Sequence, residues 1–379
     1  MAVILLQDQG AVIDHEAWLL RHYGRDKLGH DGKRTLNFQG LFDIRTPFLM
    51  DGEAQKIADR LDGNEEEILQ PKRKKRKELP IVDSLHNAAE IKHVLSVFTA
   101  LRSTSEFKTI YDYTPKPEDY RRNNLPVRTL STRVLALSNL TLPQLNEANE
   151  GPDLSTKMIE GTKYILPPRV RYVCDDVCSI LDYTSDKKFD LIVMDPPWLN
   201  KHVRRKKSAK GGEQGYNMMS VKDVLRIPIT HLLKHGGLLA VWSTNKPSQI
   251  QEFLEGLHTW GVEHVATWYW LKVTRAGEPV TPLMDGTRTK LPYERIFIAR
   301  KRKTEVGPET IPNGLVFCSV PSGLHSHKPP VLELVKPFLV SEPQCLELFA
   351  RSLVPGWTSF GLEVLRLQHG YLFEDSGDG

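Results

Sequence analysis

Asp195-Pro196-Pro197-Trp198 directly follows the apolar run Leu191-Ile192-Val193-Met194, which places a carboxylate, two prolines and an indole where a buried strand empties into a loop. The prolines fix φ and donate no main-chain hydrogen bond, so the loop is stiff and its carbonyl oxygens are free to act as acceptors. Trp198 adds a broad π face with one N–H donor. Such a grouping suits an exocyclic amino group on a heteroaromatic ring. The nitrogen of that group, adenine N6 for instance, is a poor nucleophile because its lone pair is delocalised into the ring. With Asp195 and the Pro196 carbonyl accepting its two hydrogens, it can pyramidalise as it attacks a sulfonium methyl, and the developing charge meets preorganised acceptors. The candidate catalytic residues are therefore Asp195, Pro196, Pro197 and Trp198. A second reading stands beside this one: an Asp-Pro-Pro turn that merely ends a strand, with Trp198 plugging the edge of the core.

The elements around the motif alternate. Strands are expected at Tyr172–Cys174, Phe189–Met194, Leu238–Ser243, Val265–Val273, Arg295–Ala299 and Cys345–Phe349. Helices are expected over Val221–His235, closed by Gly236-Gly237, over Ser248–Trp260 and over Val331–Phe338. This order predicts an α/β fold with a largely parallel sheet covered by helices, and ligands in such sheets bind beyond the carboxyl ends of the strands. Trp268, Tyr269 and Trp270 read as core. Upstream, Ile91–Leu101 and Leu130–Leu145 have helical spacing. The organisation expected is an N-terminal region (1–61), a charged linker (62–80), a mostly helical N-terminal domain (81–163) and a catalytic domain (164–379).

Composition narrows the class. With 379 residues, 40% of them hydrophobic, the chain can bury a large core. It has no apolar span of membrane length, and Val3 to Leu6 is too short and lacks the basic flank of a signal peptide. Its four cysteines have no C-x-x-C spacing, so neither a zinc site nor a disulfide framework is expected. Net charge is +4, but Lys72 to Lys77 and Lys201 to Lys210 each hold six basic residues, which leaves the other residues at about −8. The first run follows Glu65-Glu66-Glu67 and reads as a solvated linker or a nuclear-import signal. The second begins three residues after Trp198, where Lys201, Arg204, Arg205, Lys206 and Lys207 are candidate phosphate contacts. An unimportant solvated insertion is the alternative.

Three segments, in order and spacing, resemble the MT-A70 family of adenine-N6 methyltransferases. They are Asp195 to Trp198, Ser326-His327-Lys328-Pro329, and Leu346-Glu347-Leu348-Phe349-Ala350-Arg351 running into Gly356-Trp357-Thr358. The wording of the last is most like the methyltransferase-like protein four branch, and the likeness extends from about Tyr164 to Leu372. The resemblance implies a Rossmann-like class I methyltransferase fold with permuted motif order, in which a late strand, Leu346 to Arg351, serves the cofactor in place of an early G-x-G-x-x-G turn. It implies S-adenosylmethionine as cofactor, with Asp176, Val177, Asp195, Lys328, Phe349, Arg351 and Glu363 at its site. Glu294 and Tyr216 match positions on the acceptor side, although Tyr216 reads equally well as a loop anchor. His327 is either a third wall of the substrate pocket or structural. At Leu362 the sequence departs from relatives, which commonly have Asn, and so lacks one polar contact.

The activity implied is N6-methylation of adenosine in nucleic acid, on small nuclear RNA of the U2 type at a 2′-O-methyladenosine. DNA adenine methylation and a catalytically silent nucleic-acid-binding subunit are the alternatives, and methylation of a protein amide is a third class. RNA is the expected partner, with DNA the other polymer, no membrane, no metal and no obligatory catalytic partner. The nucleus is the expected compartment.

Overall fold

The computed structural model describes residues 3–24, 35–63, 81–138, 142–184, 186–199, 218–281, 291–302 and 310–375. The basic runs 72–77 and 201–210, and Tyr216, lie outside the described residues, and with them the expected phosphate contacts of Lys201, Arg204, Arg205, Lys206 and Lys207.

Thirteen strands are described: β1 (Val3–Gln7), β2 (Gly10–Ile13), β3 (Leu145–Asn149), β4 (Ser155–Ile159), β5 (Thr162–Leu166), β6 (Val170–Cys174), β7 (Phe189–Met194), β8 (Leu233–Trp242), β9 (Val262–Lys272), β10 (Tyr293–Lys301), β11 (Val316–Ser319), β12 (Cys345–Leu348) and β13 (Thr358–Phe360). Eleven form one sheet in the order β1-β2-β11-β9-β10-β8-β7-β12-β13-β6-β3, and β4 and β5 pair separately. The run β6-β13-β12-β7-β8 is parallel throughout, while β8-β10-β9 and the edges β1-β2 and β3-β6 are antiparallel. The sheet is thus mixed but mostly parallel, as a Rossmann-like methyltransferase fold requires. The strand carrying the Asp-Pro-Pro-Trp motif, β7, lies in the parallel block between β8, the next strand in sequence, and the late strand β12.

β7 is buried along its whole length, which explains its near-continuous apolar sequence. Leu191 and Val193 join one apolar layer with Cys345, Trp242, Trp268, Trp18 and Phe42. Ile192 and Met194 face the other layer with Leu346, Leu348, Val224, Phe253 and Trp260. Each such side chain contributes about 1.5–3 kcal/mol on burial. The alternation also aims Asp195 to the side of Leu191 and Val193.

Two expectations change. The helix expected to run to His235 is two short ones, Val221–Leu225 and Ile229–Leu232, and β8 already begins at Leu233. Pro228 interrupts the helix, and residues 234–237 bulge out between the pairs Phe189↔Leu233 and Leu191↔Leu238, with Gly236 at φ 76°. The boundary expected at residue 164 also divides a single sheet, because β1, β2 and β3 lie before it. β2 pairs with β11 in parallel register. Behind β2 the helix His15–Tyr23 is capped by Asp14, whose side chain accepts from the Ala17 N–H at 2.8 Å. Its Trp18, Leu19 and Tyr23 enter the same apolar layer as β7. Among the described residues no helix is long and apolar enough to cross a membrane.

Candidate active site

Beyond Met194 the loop is tied down by its own backbone. The Pro196 carbonyl accepts from the Trp198 N–H at 2.8 Å, and the Pro197 carbonyl accepts from the Met219 N–H at 2.9 Å. One lone pair of the Pro196 oxygen is therefore used and one remains. Trp198 differs from the sequence expectation of a free plate with a spare donor. Its indole N–H donates to the Trp242 carbonyl at 2.9 Å, and its ring packs edge-on against Phe253 at 5.4 Å. It pins the loop to β8 from the layer opposite Asp195.

Asp195 heads a chain of alternating charges. Its Oδ2 lies 3.5 Å from Lys328 Nζ and 3.6 Å from an Arg351 guanidinium nitrogen, both longer than a direct charge-assisted bond. Lys328 donates to Glu294, as does Lys272 from the neighbouring strand β9. Lys328 Nζ also stands 4.8 Å from the centre of the Trp242 ring. On the other side Arg351 bonds Glu363 at 2.7 Å, and Glu363 takes Arg366 at 2.5 Å. Burial works against the Lys328 ammonium, but Asp195 and Glu294 outweigh it and hold its pKa above the usual value. Burial likewise disfavours the Glu294 carboxylate, yet the Lys328 and Lys272 ammoniums hold it well below the usual carboxylate range.

The late strand supplies the turn that a glycine usually makes. Phe349, the first residue after β12, has φ 60°. For an aromatic residue this left-handed backbone costs of order 1–3 kcal/mol, held in place by surrounding structure. The Ala350 N–H donates to the Phe360 carbonyl at 3.1 Å and the Arg351 carbonyl accepts from the Leu367 N–H at 2.8 Å, so both neighbours of the turn are fixed. The turn delivers Phe349 and Arg351 into one cleft with Asp195, Lys328 and Glu347.

Glu347 was not among the sequence candidates. It pairs in register with Val193 and shares its face, so its carboxyl sits one step below Asp195 on the adjoining strand. Among the described residues it makes neither hydrogen bond nor ion pair. Burial, and to a lesser degree the Asp195 charge, pushes its pKa up to about 8, against the pull of Arg351. The signal in the sequence is a lone acid inside Cys345-Leu346-Glu347-Leu348, a strand otherwise apolar.

The N-terminal helix forms the far wall of the cleft with His15, Trp18 and Tyr23. Tyr23 donates to the Leu353 carbonyl at 2.8 Å and accepts from Gln368 at 3.1 Å. His327 lines the cleft but stacks edge-on against His15 at 4.6 Å, and neither Nδ1 finds a partner among the described residues. Burial pushes the His327 imidazole down to about 4, so at neutral pH it is an uncharged packing residue of the wall.

Other candidates lie apart. Asp176 follows β6, and its carboxylate accepts from the Cys178 N–H at 2.8 Å, capping the short turn Val177–Ser179. Val177 is buried in the layer of Phe349 and Phe360. Both stand at the carboxyl end of β6, two strands from β12 and outside the residues lining this cleft. Glu363 and Glu294 join the cleft through Arg351 and Lys328. Leu362 is 43% exposed beside Glu363. Among the described residues no cluster could hold a metal ion.

Comparison with known proteins agrees with this geometry. Residues 189–363 match the MT-A70 family. The chain is 40% identical over 216 residues to a DNA N6-methyl methyltransferase of Caenorhabditis elegans, covering 56% of each chain. It is 40% identical over 226 residues to the N(6)-adenine-specific methyltransferase METTL4 of Homo sapiens, covering 56% of this chain and 46% of that one. With the N6-methyladenosine RNA methyltransferase MTA1 of Cryphonectria parasitica it shares 43% identity over 185 residues, 48% of this chain and 53% of the relative. The chain spans about half the length of these curated relatives. It carries an MT-A70 domain that contains Asp195, Lys328 and Arg351, and MT-A70 is a family of methyltransferases that use S-adenosylmethionine as methyl donor.

Proposed function

We propose that this chain methylates N6 of adenine in nucleic acid, RNA before DNA, and within RNA a 2′-O-methyladenosine of small nuclear RNA of the U2 type. The observation that carries the reading is Asp195 at the carboxyl end of a central parallel strand, held by Lys328 and Arg351 at 3.5 and 3.6 Å and next to a Pro196 carbonyl with a lone pair to spare.

The cleft fits S-adenosylmethionine by charge. Lys328 and Arg351 converge where a carboxylate can sit, Glu347 offers an unpartnered carboxyl, and Glu363 lies behind Arg351 where it can accept from ribose hydroxyls. When bound, the donor supplies an electrophilic methyl on a sulfonium. The rest of the chemistry belongs to the chain. Asp195 and the Pro196 carbonyl accept the two amino hydrogens, which orients the nitrogen lone pair toward the methyl and stabilises the charge that grows on it. Lys328 and Arg351 keep the Asp195 carboxylate in place without closing on it. Trp198 fixes the loop from behind through its bond to Trp242.

RNA is favoured because a single-stranded or bulged adenosine reaches such a site without base flipping, which costs a few kcal/mol in duplex DNA. DNA is the second reading, favoured by the name of the nematode relative. The basic run from Lys201 is proposed to contact phosphates, the run from Lys72 to direct the chain to the nucleus, and the chain to work without a catalytic partner.

The test is incubation with methyl-labelled donor and separate pools of small nuclear RNA, other RNA, DNA and protein, followed by digestion to nucleosides. Label is expected in N6-methylated adenosine from small nuclear RNA, and lost with Asp195→Ala. Label confined to DNA would replace the polymer in this reading, and label confined to protein would overturn it.

A further inference from the structure

The four acids of the site are not equivalent. Glu294 is shared by two lysines, Glu363 by two arginines, and Asp195 stands between Lys328 and Arg351. Glu347 alone among them has no hydrogen bond or ion pair among the described residues, yet it lines the cleft directly below Asp195. A half-buried carboxyl with no partner has a desolvation cost that nothing in the chain offsets. The charges that act on it are Asp195 from the motif loop and Arg351 from the turn after β12, and the other titratable groups lining the same cleft are Lys328 and His327 from the His-Lys-Pro segment, His15, His22 and Tyr23 from the N-terminal helix, and Glu333. Lys328 and Arg351 each have a close acid of their own, Glu294 and Glu363, and His15 and His327 are neutral at neutral pH because burial lowers them. A ligand cation is what this position lacks.

The methyl donor carries an α-carboxylate and an α-ammonium a single carbon apart. Lys328 and Arg351 stand off Asp195 at 3.5 and 3.6 Å and can take the first on their remaining donors, and the second then falls toward the acids lining the cleft beside them. Asp195 already has Lys328 and Arg351 beside it, whereas Glu347 has no ion pair among the described residues. We infer that Glu347 receives the α-ammonium of the methyl donor and that this pairing couples donor binding to the release of a proton. Before the donor enters, Glu347 is largely in its neutral form at pH 7. As the ammonium arrives, the carboxyl O–H breaks, the proton passes to solvent, and a carboxylate–ammonium pair forms. The inference rests on the methyl-donor reading of the cleft and extends it to the protonation state in which the cleft receives its ligand.

Proton linkage is measured without turnover. The full chain is titrated calorimetrically with S-adenosylhomocysteine, the thioether product that keeps both α-groups, in pairs of buffers of different ionisation enthalpy. A desamino analogue serves as the second ligand. With the parent protein, affinity for S-adenosylhomocysteine is expected to rise close to tenfold between pH 6 and 7, with release approaching one proton. Release should fall to about half a proton near pH 8, where Glu347 is already half ionised before the ligand enters. In Glu347→Gln the affinity is expected to be flat from pH 6 to 7 with no proton released, and the desamino analogue should be flat with both proteins. Binding by the parent that is independent of pH and releases no proton overturns the assignment, as does linkage that survives in Glu347→Gln. Failure of the folded parent to bind S-adenosylhomocysteine at all overturns the donor reading itself.

Discussion

Glu294→Gln separates two things that Glu294 does. The carboxylate neutralises a pair of lysines whose side chains are 12% and 19% exposed, and it holds Lys328 off Asp195. Removing the charge leaves both ammoniums without their shared anion, a loss of about 2–4 kcal/mol for a partly buried network. Lys328 then turns to the acid that remains, Asp195, now 3.5 Å away. At an effective dielectric of about 20, shortening that separation to about 2.8 Å deepens the attraction from about 4.7 to about 5.9 kcal/mol. The difference, about 1.2 kcal/mol, must be overcome before Asp195 can accept a hydrogen from the acceptor amine, so methyl transfer should slow by roughly tenfold. The carboxyl is held below its usual range in the folded state, so its stabilisation is present above an unfolded value of about 4.3 and lost as pH falls toward the folded value. Urea unfolding of parent and variant should therefore differ most at neutral pH and converge in acid. Rates come from single-turnover transfer at saturating donor. A variant that is destabilised as expected but transfers methyl at the parental rate would refute the idea that Glu294 keeps Lys328 from Asp195.

Glu347 makes the opposite prediction for stability. Its pKa is raised to about 8 on folding, so its ionisation destabilises the protein as pH rises from about 4.5 toward 8. Without any ligand, Glu347→Gln should match the parent near pH 4.5 and exceed it in denaturant midpoint above pH 8; equal midpoints at both ends would contradict the shift. Trp198→Phe keeps the ring against Phe253 but loses the bond to the Trp242 carbonyl, which should cost about 1–2 kcal/mol and slow transfer more than it weakens donor binding. A loss confined to donor affinity, measured by calorimetry, would speak against a loop-fixing role. Glu90 on the helix Ile81–Ser103 holds the nearly buried Arg295 at 2.6 and 2.8 Å and accepts from the Tyr293 hydroxyl at 2.6 Å. Glu90→Ala should cost about 3–5 kcal/mol, read by urea unfolding, because the buried Arg295 loses the carboxylate that grips it at two points.

The motif strand was fully legible: an unbroken apolar run ending in Asp-Pro-Pro predicts Phe189–Met194, and β7 has those bounds. So was the late strand, expected at Cys345–Phe349 from its apolar run and found as Cys345–Leu348. The site's second half was harder to read. Lys272 meets Glu294 only because β9 and β10 pair antiparallel, and Trp242 lies under Lys328 only because β8 carries it to the same face. Neither adjacency leaves a trace in local sequence. Val3 to Leu6 reads as too short for a signal peptide and not as a strand, since β11, which joins its hairpin to the sheet, lies about 300 residues downstream. His15 and Trp18 were silent for the same reason. Glu347 did leave a trace, a charge in a strand buried among parallel neighbours, and that anomaly is a better guide to chemistry than composition.

The tie between Tyr23 and the loop after β12 has a consequence for how the protein can be divided. A fragment beginning at residue 164 would keep every motif residue and still lack one side of its donor cleft. It would also uncover the apolar surface that Trp18, Leu19 and Phe42 cover in the whole chain. Self-association of such a fragment is the expected outcome, read by size-exclusion chromatography against the whole chain. The amino-terminal helix covers the face of β7 and β12 that carries the cleft, so segments more than 300 residues apart in the sequence share one pocket wall and neither forms it alone.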